Sequence, residues 1–181
     1  MRVLLIDHYD SFTLNLEHLI VSTLDAEVVI IPHDRNAEPW EVEAAGFDLT
    51  VLSPGPGHPD EYGSNGAYDA LLRSGRPVFG VCMGMQLINS SFGGRTDRLS
   101  GCVHGKSETI TWRERSYTVA RYHSLYLAEV APELDVLAVN GDGVPMIIQH
   151  KTLPVRGCQF HPESFLTQNG EQFVRFAVED I

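Results

Sequence analysis

The fold is decided by the stretch Pro77-Val78-Phe79-Gly80-Val81-Cys82-Met83-Gly84-Met85-Gln86. The apolar residues before Cys82 are typical of a short buried strand, and the residues after it begin a helix. Gly80 and Gly84 flank the cysteine and make room for a tight turn, like the elbow that presents a nucleophile in some hydrolases. A helix N-terminus behind Cys82 favours the thiolate. A buried cysteine in an ordinary glycine-rich turn gives the same pattern, so both interpretations stay open for this stretch alone.

Around this stretch, the first half of the chain alternates short apolar runs with helical patterns. Strands are predicted over residues 3–6, 27–31, 49–52 and 77–81, and helices over residues 11–24, 38–45 and 67–73. Ser11 is the predicted N-cap of the first helix. Apolar strands separated by helices indicate a parallel sheet that is covered on both faces.

The second half of the chain predicts antiparallel additions to that sheet. Further strands are predicted over residues 109–112, 117–121, 136–139, 146–149 and 155–159, with a turn at 113–116 and a closing helix over 171–179. A length of 181 residues suits one domain, spanning 1–181. The predicted fold is therefore α/β, a single domain with an open, mixed and mostly parallel sheet and helices on both faces.

The composition argues against nucleic-acid and membrane surfaces. The chain has 24 Asp and Glu against 13 Lys and Arg, which gives a formal charge of -11, whereas phosphate and anionic lipid need clustered bases. No stretch approaches the roughly 18 apolar residues of a membrane span. The three cysteines, Cys82, Cys102 and Cys158, form no Cys-x-x-Cys pair, and the short apolar start does not match a secretory leader. We therefore expect a cytoplasmic protein with free thiols.

A base and its orienting carboxylate are predicted in the stretch Cys158-Gln159-Phe160-His161-Pro162-Glu163. A cysteine nucleophile needs a general base, and the base needs a group that orients it. His161 and Glu163 lie two residues apart, so on an extended segment their side chains point the same way. A structural histidine beside a surface acid is the alternative, and the presence of Cys82 makes it the weaker one.

A third segment, Leu52-Ser53-Pro54-Gly55-Pro56-Gly57, follows a predicted strand. It therefore lies at the same carboxyl edge of the sheet as Cys82, where ligands bind in open α/β sheets. The backbone N–H of Gly57, with no side chain to block a substrate, can donate to a developing oxyanion together with the N–H of Met83. Alone, this segment is an ordinary Pro/Gly turn.

Together, these segments resemble the class I (triad) glutamine amidotransferases, over essentially the whole chain. The likeness is closest to the small subunits of anthranilate synthase and of aminodeoxychorismate (p-aminobenzoate) synthase. Beside the Cys82 elbow it is carried by five segments, which are Asp10-Ser11-Phe12, Ser53-Pro54-Gly55-Pro56-Gly57, His104-Gly105-Lys106, Arg121-Tyr122-His123-Ser124-Leu125 and Phe160-His161-Pro162-Glu163-Ser164. The resemblance implies a flavodoxin-like sheet.

The resemblance also implies a role for each site residue. Cys82 attacks the side-chain amide of glutamine, His161 protonates the leaving ammonia and then activates water, and Glu163 orients His161. Gly57 and Met83 hold the oxyanion. The glutamine pocket is lined by Gly55, Gln86, Ser124 and Leu125, and the partner interface contains His104, Gly105 and Lys106. Ammonia passes to a chorismate-using synthase subunit (component I), where magnesium is expected. This chain itself is expected to need no cofactor and no metal.

Two features leave the pathway open. The related small subunits usually read Cys-Leu-Gly-His-Gln where this chain has Met83 and Met85, and the stretch between His104 and Tyr122 is shorter than usual. Anthranilate synthase component II, its aminodeoxychorismate counterpart in folate synthesis, a subunit shared by both and a secondary-metabolite synthase all fit. More distant alternatives are a free-standing γ-glutamyl hydrolase and a non-catalytic scaffold. The eight histidines are scattered, so no zinc site is predicted.

Overall fold

Strands and helices alternate in the first half of the chain, and strands dominate the second. The computed structural model describes residues 1–35, 39–63, 68–99 and 106–179. The strands are β1 Arg2–Asp7, β2 Glu27–Pro32, β3 Leu49–Leu52, β4 Val78–Val81, β5 Arg95–Arg98, β6 Lys106–Trp112, β7 Arg115–Arg121, β8 Leu125–Glu129, β9 Leu134–Val139, β10 Pro145–His150 and β11 Val155–Cys158. The helices are α1 Thr13–Leu24, α2 Trp40–Glu43, α3 Asp60–Gly63, α4 Asp69–Arg73, α5 Met83–Ser91 and α6 Glu171–Ala177, and a 3-10 turn, Ala44–Gly46, follows α2.

Seven strands form the central sheet, in the order β2-β1-β3-β4-β11-β10-β9. The strands from β2 to β11 pair in parallel, and β10 and β9 extend the sheet antiparallel. Strands β3, β4 and β11 are buried along their whole length, as expected for parallel strands with both faces covered. The predicted α/β fold with an open, mixed and mostly parallel sheet is confirmed.

Each face of the sheet has its own apolar layer, because successive side chains of a strand point to opposite faces. On β1, Val3 and Leu5 pack with α1, α6 and the β6–β7 hairpin, whereas Leu4 and Ile6 pack with α2, α4 and α5. Helices therefore lie on both faces, as predicted. In the part of the chain that the structure describes, no helix is long and apolar enough to cross a membrane.

The first helix begins differently from its prediction. Ser11 is not the N-cap: α1 begins at Thr13, the cap residue is Phe12, and no side chain caps it. Instead, Asp10 accepts a hydrogen bond from the N–H of Phe12 at 2.6 Å, and Asp7 accepts one from the hydroxyl of Thr13 at 2.6 Å. Asp7 at the end of β1 and Asp10 in the following loop thus organise the start of the helix, and a prediction of one capping residue does not describe it.

The hairpin of β6 and β7 turns more tightly than predicted. The sequence predicts a turn over 113–116, whereas Trp112 already pairs with Arg115 and two residues, Arg113 and Glu114, make the turn. Both have positive φ, at 51° and 62°, as a type I′ hairpin turn requires. Neither is the glycine or asparagine that usually marks such a turn, so the sequence carries no local signal for it.

Other predicted boundaries shift by a few residues. The helix predicted over 38–45 is divided between α2 and the 3-10 turn, and residue 38 lies outside the described residues, as does residue 67 of the next predicted helix. The closing helix ends at Ala177. Strands β5 and β8 pair with each other outside the main sheet and were not predicted, because Arg95-Thr96-Asp97-Arg98 has none of the apolar pattern that marks a strand.

Two glycines let α5 approach the sheet closely. A Cβ atom on Gly84 would lie 2.2 Å from the carbonyl oxygen of Leu52, and one on Gly80 would lie 2.4 Å from the carbonyl carbon of Gly84. Both distances are far shorter than any real contact of a Cβ atom. Because no side chain fits at these positions, α5 begins directly at the ends of β3 and β4, and Cys82 is the residue at that junction.

We expect Gly84→Ala to lower the free energy of unfolding by about 3 kcal/mol, because the added methyl group meets rigid backbone. The matched control is Gly141→Ala, where an added Cβ atom meets nothing within 4 Å and the change stays within about 1 kcal/mol. Urea unfolding of both variants measures the difference. Equal stability of the two would contradict the close contact between Gly84 and Leu52.

Candidate active site

Cys82 occupies a strained turn between β4 and α5. Its backbone has φ 53° and ψ -101°, a conformation that residues with a side chain rarely adopt and that costs about 1–3 kcal/mol. The N–H of Cys82 donates to the carbonyl of Cys158 at 2.8 Å, which ties the turn to the end of β11. Cys82 is the N-cap residue of α5, so the N–H groups of the first helical turn, which have no partner within the helix, lie next to it.

His161 and Glu163 form a buried hydrogen-bonded pair. The Nδ1 of His161 lies 2.6 Å from Oε1 of Glu163, and the two side chains are 4% and 0% exposed. The expectation of an extended segment is wrong in part, because His161 forms a single bridge to Ala120 and residues 162–163 form a turn. The turn still brings the two side chains together.

The position of His161 is fixed from several sides. Its N–H donates to the carbonyl of Ala120 at 3.2 Å, and its carbonyl accepts from the hydroxyl of Thr167 at 2.6 Å. The rings of Phe12 and Tyr122 stand nearly perpendicular to the imidazole, with centroids 5.8 and 5.1 Å away. The imidazole therefore has little freedom to rotate away from Cys82 and Glu163.

The charge of His161 is set by its polar neighbours. Burial alone would lower the pKa of the imidazole, but the hydrogen bonds and charges of Cys82 and Glu163 outweigh it and raise the pKa of His161 well above its usual value. His123 differs, since burial lowers its pKa to about 4 although the Leu125 carbonyl opposes the shift. At neutral pH the site therefore favours a protonated His161 next to a neutral His123.

A cavity of about 200 Å³ lies beyond the carboxyl ends of β3 and β4, where open α/β sheets bind ligands. The structure brings most of the predicted site residues to its lining, namely Gly55, Gly57, Cys82, Met83, Gln86, Ser124, Leu125 and His161. Glu163 lies behind His161. Among the described residues, no group of three or more His, Cys, Asp or Glu side chains is arranged to hold a metal ion.

The loop that carries Gly57 rests on a buried histidine. A Cβ atom on Gly55 would lie 2.6 Å from that of His8, so the loop packs directly on His8. His8 is fully buried, its ring contacts the hydroxyls of Ser53 and Tyr68 at 3.2 and 2.9 Å, and burial lowers its pKa to about 3. Gly57 has φ 77°, a conformation that favours glycine. The neutral His8 thus supports the loop from inside.

Gln86 lies on the first turns of α5 and is almost fully buried. Its Nε2 donates to Oε1 of Gln159 at 3.2 Å and to the carbonyl of Leu125 at 3.4 Å. Its Oε1 has no partner among the described groups. A buried acceptor without a partner costs free energy until a donor reaches it, so this oxygen is suited to accept an N–H group of a bound ligand.

Several lining residues were not among the predicted site residues. They are Asp10, Phe12, Pro54, Pro56, Tyr122 and His123, and all of them lie inside the motif segments. Gln159 was missed as well, although its Nε2 lies 3.6 Å from the sulfur of Cys82. The alternation that linked His161 to Glu163 extends back by two residues to Gln159, and this signal could have identified it.

The structure locates part of the predicted partner interface and the departure at Met85. His104 and Gly105 of the predicted partner interface lie outside the described residues, and Lys106 begins β6, where it pairs with Arg121. Met85 is fully buried among apolar residues that include Leu52, and it does not line the cavity. Met85 is therefore part of the apolar packing between α5 and the sheet, whereas Met83, the other departure, lines the cavity.

Comparison with known proteins identifies relatives over nearly the whole chain. Residues 4–181 match the family model described as "Glutamine amidotransferase class-I". The chain is 40% identical to an aminodeoxychorismate synthase of Streptomyces griseus over 96% of this chain and 25% of that protein. An anthranilate synthase of Azospirillum brasilense is also 40% identical, over 93% of this chain and 24% of that protein. The chain thus spans about a quarter of the length of these two relatives.

A shorter relative matches from end to end, and solved structures share the fold. Anthranilate synthase component 2 of Leptospira biflexa is 34% identical over 97% of this chain and 98% of that protein. A Thermoplasma acidophilum protein, provisionally named as part of a GMP synthase, has a TM-score of 0.84 at 23% identity, over 98% of this chain and 92% of that chain. A glutamine amidotransferase of Thermotoga maritima has a TM-score of 0.74 at 17% identity, over 90% and 76% of the two chains. The match over residues 4–181, with these relatives, shows that the chain belongs to the class I glutamine amidotransferase family.

Proposed function

We propose that this chain is the glutamine-hydrolysing subunit of a synthase that aminates chorismate, with anthranilate synthase component II as the first candidate. The observation that carries the proposal is the buried His161–Glu163 pair beside Cys82 at the wall of one cavity. Membership of the class I family supports glutamine as the substrate. The names of the relatives, anthranilate synthase component 2 and aminodeoxychorismate synthase, support the kind of synthase.

The reaction begins when the sulfur of Cys82 attacks the side-chain amide carbon of glutamine, with the thiol proton held on His161. A protonated imidazole suits this step, and the raised pKa of His161 favours it. Collapse of the tetrahedral intermediate breaks the C–N bond, His161 gives its proton to the departing nitrogen, and ammonia leaves a γ-glutamyl thioester on Cys82. Neutral His161 then takes a proton from water, whose oxygen attacks the thioester and releases glutamate.

Glu163 orients this acid–base group. Its Oε1 accepts the Nδ1–H of His161 at 2.6 Å, which leaves Nε2 for the reacting groups. A carboxylate in this position also stabilises the imidazolium that forms in the first step. Because Glu163 lies behind His161 and outside the cavity lining, we assign it to orientation and not to contact with glutamine.

Backbone groups and a buried amide hold the substrate. We assign the N–H groups of Gly57 and Met83 to the oxyanion, since both residues line the cavity with Cys82 and donors of this kind stabilise charge as it develops. The pocket for glutamine itself is assigned to Gly55, Gln86, Ser124 and Leu125. The unpaired Oε1 of Gln86 is the acceptor that we assign to an N–H group of bound glutamine.

Ammonia then passes inside the complex to the synthase subunit, because ammonium in bulk water is a poor nucleophile. We place His104, Gly105 and Lys106 in the contact with that subunit. Lys106 pairs with Arg121, the residue that leads into the cavity-lining segment Tyr122-His123-Ser124. Magnesium belongs to the chorismate-binding subunit in this proposal, and this chain needs no cofactor.

Aminodeoxychorismate synthesis is the second candidate, and the 40% identity to the Streptomyces griseus enzyme favours it. The same glutaminase chemistry serves both products, since the chorismate chemistry resides in the other subunit. A chain shared between the two synthases would account for both sets of relatives.

Cys82→Ser is expected to lower glutamine-dependent product formation by the synthase complex about a thousandfold or more, because the hydroxyl is a far weaker nucleophile without a matched base. Ammonia-dependent product formation by the same complex is the internal control and stays intact. Mass spectrometry of the product formed from chorismate distinguishes anthranilate from aminodeoxychorismate.

Two outcomes would count against this proposal. Unchanged glutamine-dependent synthesis in the Cys82→Ser complex excludes nucleophilic catalysis by Cys82. Rapid turnover of γ-glutamyl amides by the purified chain, with no synthase subunit present, favours a free-standing hydrolase instead.

Glu163→Gln is expected to lower the free energy of unfolding by about 3 kcal/mol near pH 6, because it removes one partner of a buried charge pair. The raised folded-state pKa of His161 contributes stability that is fully present below the unfolded value of about 6.5 and is lost as pH rises through the folded-state pKa. The stability gap between the two proteins therefore shrinks with rising pH. Urea unfolding at pH 6 and pH 10 measures the gap, and a gap that widens with pH would contradict the assignment.

A further inference from the structure

Gln159 is a buried polar residue in contact with the sulfur of Cys82. It follows β11, it is 0% exposed, and its backbone N–H donates to the carbonyl of Met146 at 2.9 Å. Its side-chain Nε2 lies 3.6 Å from Sγ of Cys82, a distance at which an N–H group donates to sulfur. The steps of hydrolysis assign proton transfer to His161 and leave this amide without a role.

The direction of the Gln159 amide is fixed by a chain of three hydrogen bonds. The carbonyl of Leu125 can only accept, so the atom of Gln86 that faces it is the NH₂ group. The same NH₂ group donates to Gln159 at 3.2 Å, so the atom of Gln159 that receives it is Oε1. The NH₂ group of Gln159 must then face Cys82. Flipping either amide would set two donors or two acceptors against each other.

We propose that Gln159 is a further catalytic residue, whose side-chain N–H donates a hydrogen bond to the sulfur of Cys82 and stabilises its thiolate. The inference rests on the proposed glutaminase function, which makes Cys82 the nucleophile. A neutral donor adds to the stabilisation by His161 without adding charge, and its direction toward the sulfur is fixed because Oε1 of the same amide accepts a hydrogen bond from Gln86. Gln86 acts here as a positioning residue, since it orients the amide of Gln159.

Two substitutions of Gln159 distinguish the loss of its hydrogen-bond donor from a loss of packing around its side chain. Gln159→Glu keeps the size and the acceptor for Gln86, but a carboxylate cannot donate to sulfur. Gln159→Met removes the donor without adding charge. The matched control is Gln168→Leu, because Gln168 is exposed and its backbone N–H, not its side chain, donates to Thr118.

The first measurement is the rate of Cys82 alkylation by iodoacetamide, followed on the Cys82 peptide by mass spectrometry. At pH 7 we expect the rate to fall about 10- to 100-fold in Gln159→Glu and Gln159→Met, and to stay unchanged in Gln168→Leu, since hydrogen bonds to charged groups carry this much free energy. With rising pH we expect Gln159→Met to approach the unsubstituted protein, because the fraction of thiolate then depends less on the hydrogen bond. If the alkylation rate fell only because packing was lost, high pH would not restore it.

The second measurement is glutamine-dependent product formation by the whole synthase complex. We expect kcat to fall about as far as the alkylation rate in both Gln159 variants, with KM for glutamine changed less than threefold. Alkylation at pH 7 that matches the unsubstituted protein in both variants would overturn the inference. A complex that makes no product from glutamine even without substitution would overturn the proposed function instead, and alkylation would still report on the contact between Gln159 and Cys82.

Discussion

The approach of α5 to the carboxyl ends of β3 and β4 is the constraint on which the candidate site depends. At Gly84 the helix backbone meets the carbonyl of Leu52, and no Cβ atom fits between them. This contact forces a sharp turn at Cys82, whose φ of 53° is unfavourable for a residue with a side chain. The strain is held in place by parallel strands that are buried along their whole length. A loosely packed sheet would relax the turn and move the sulfur.

The second half of the chain supplies the partner groups from a different support. The β6–β7 hairpin is anchored by aromatic contacts, with Trp112 and Tyr117 packed on Phe173 of α6. From this anchored hairpin, the carbonyl of Ala120 holds the backbone of His161. The placement of Cys82 relative to His161 is thus set by two elements, the elbow at the end of β4 and the segment that bridges to the hairpin at Ala120. Both elements pack in the same apolar cluster, which contains Cys82 as well as Trp112 and Phe173.

The parts of the site that could be predicted are those in which local sequence carries the chemistry. The elbow at Cys82 needs glycines at fixed positions, and the pairing of His161 with Glu163 needs a short spacing. Both requirements can therefore be recognised in the sequence. The turn at Arg113-Glu114 has no such sequence pattern, because tertiary packing holds two ordinary residues at positive φ. Strand β5 gave no such signal either, because its residues Arg95-Thr96-Asp97-Arg98 show no apolar alternation although they pair with β8. The role of Gln86 as a donor to Gln159 depends on a contact between residues far apart in the chain, which no local pattern encodes.

Three buried histidines show why burial alone does not define an acid–base group. Burial acts on His8, His123 and His161 alike, and in each it disfavours the charged imidazole. The first two have their pKa lowered to about 3 and about 4, and they serve as neutral supports of the surrounding loops. The pKa of His161 is raised instead, because a carboxylate and a sulfur lie within hydrogen-bonding reach of its imidazole. Of these three histidines, only the one beside Cys82 is therefore favoured in its protonated form. Because the neighbouring histidines stay neutral, they add no competing positive charge that would weaken the attraction between His161 and the sulfur.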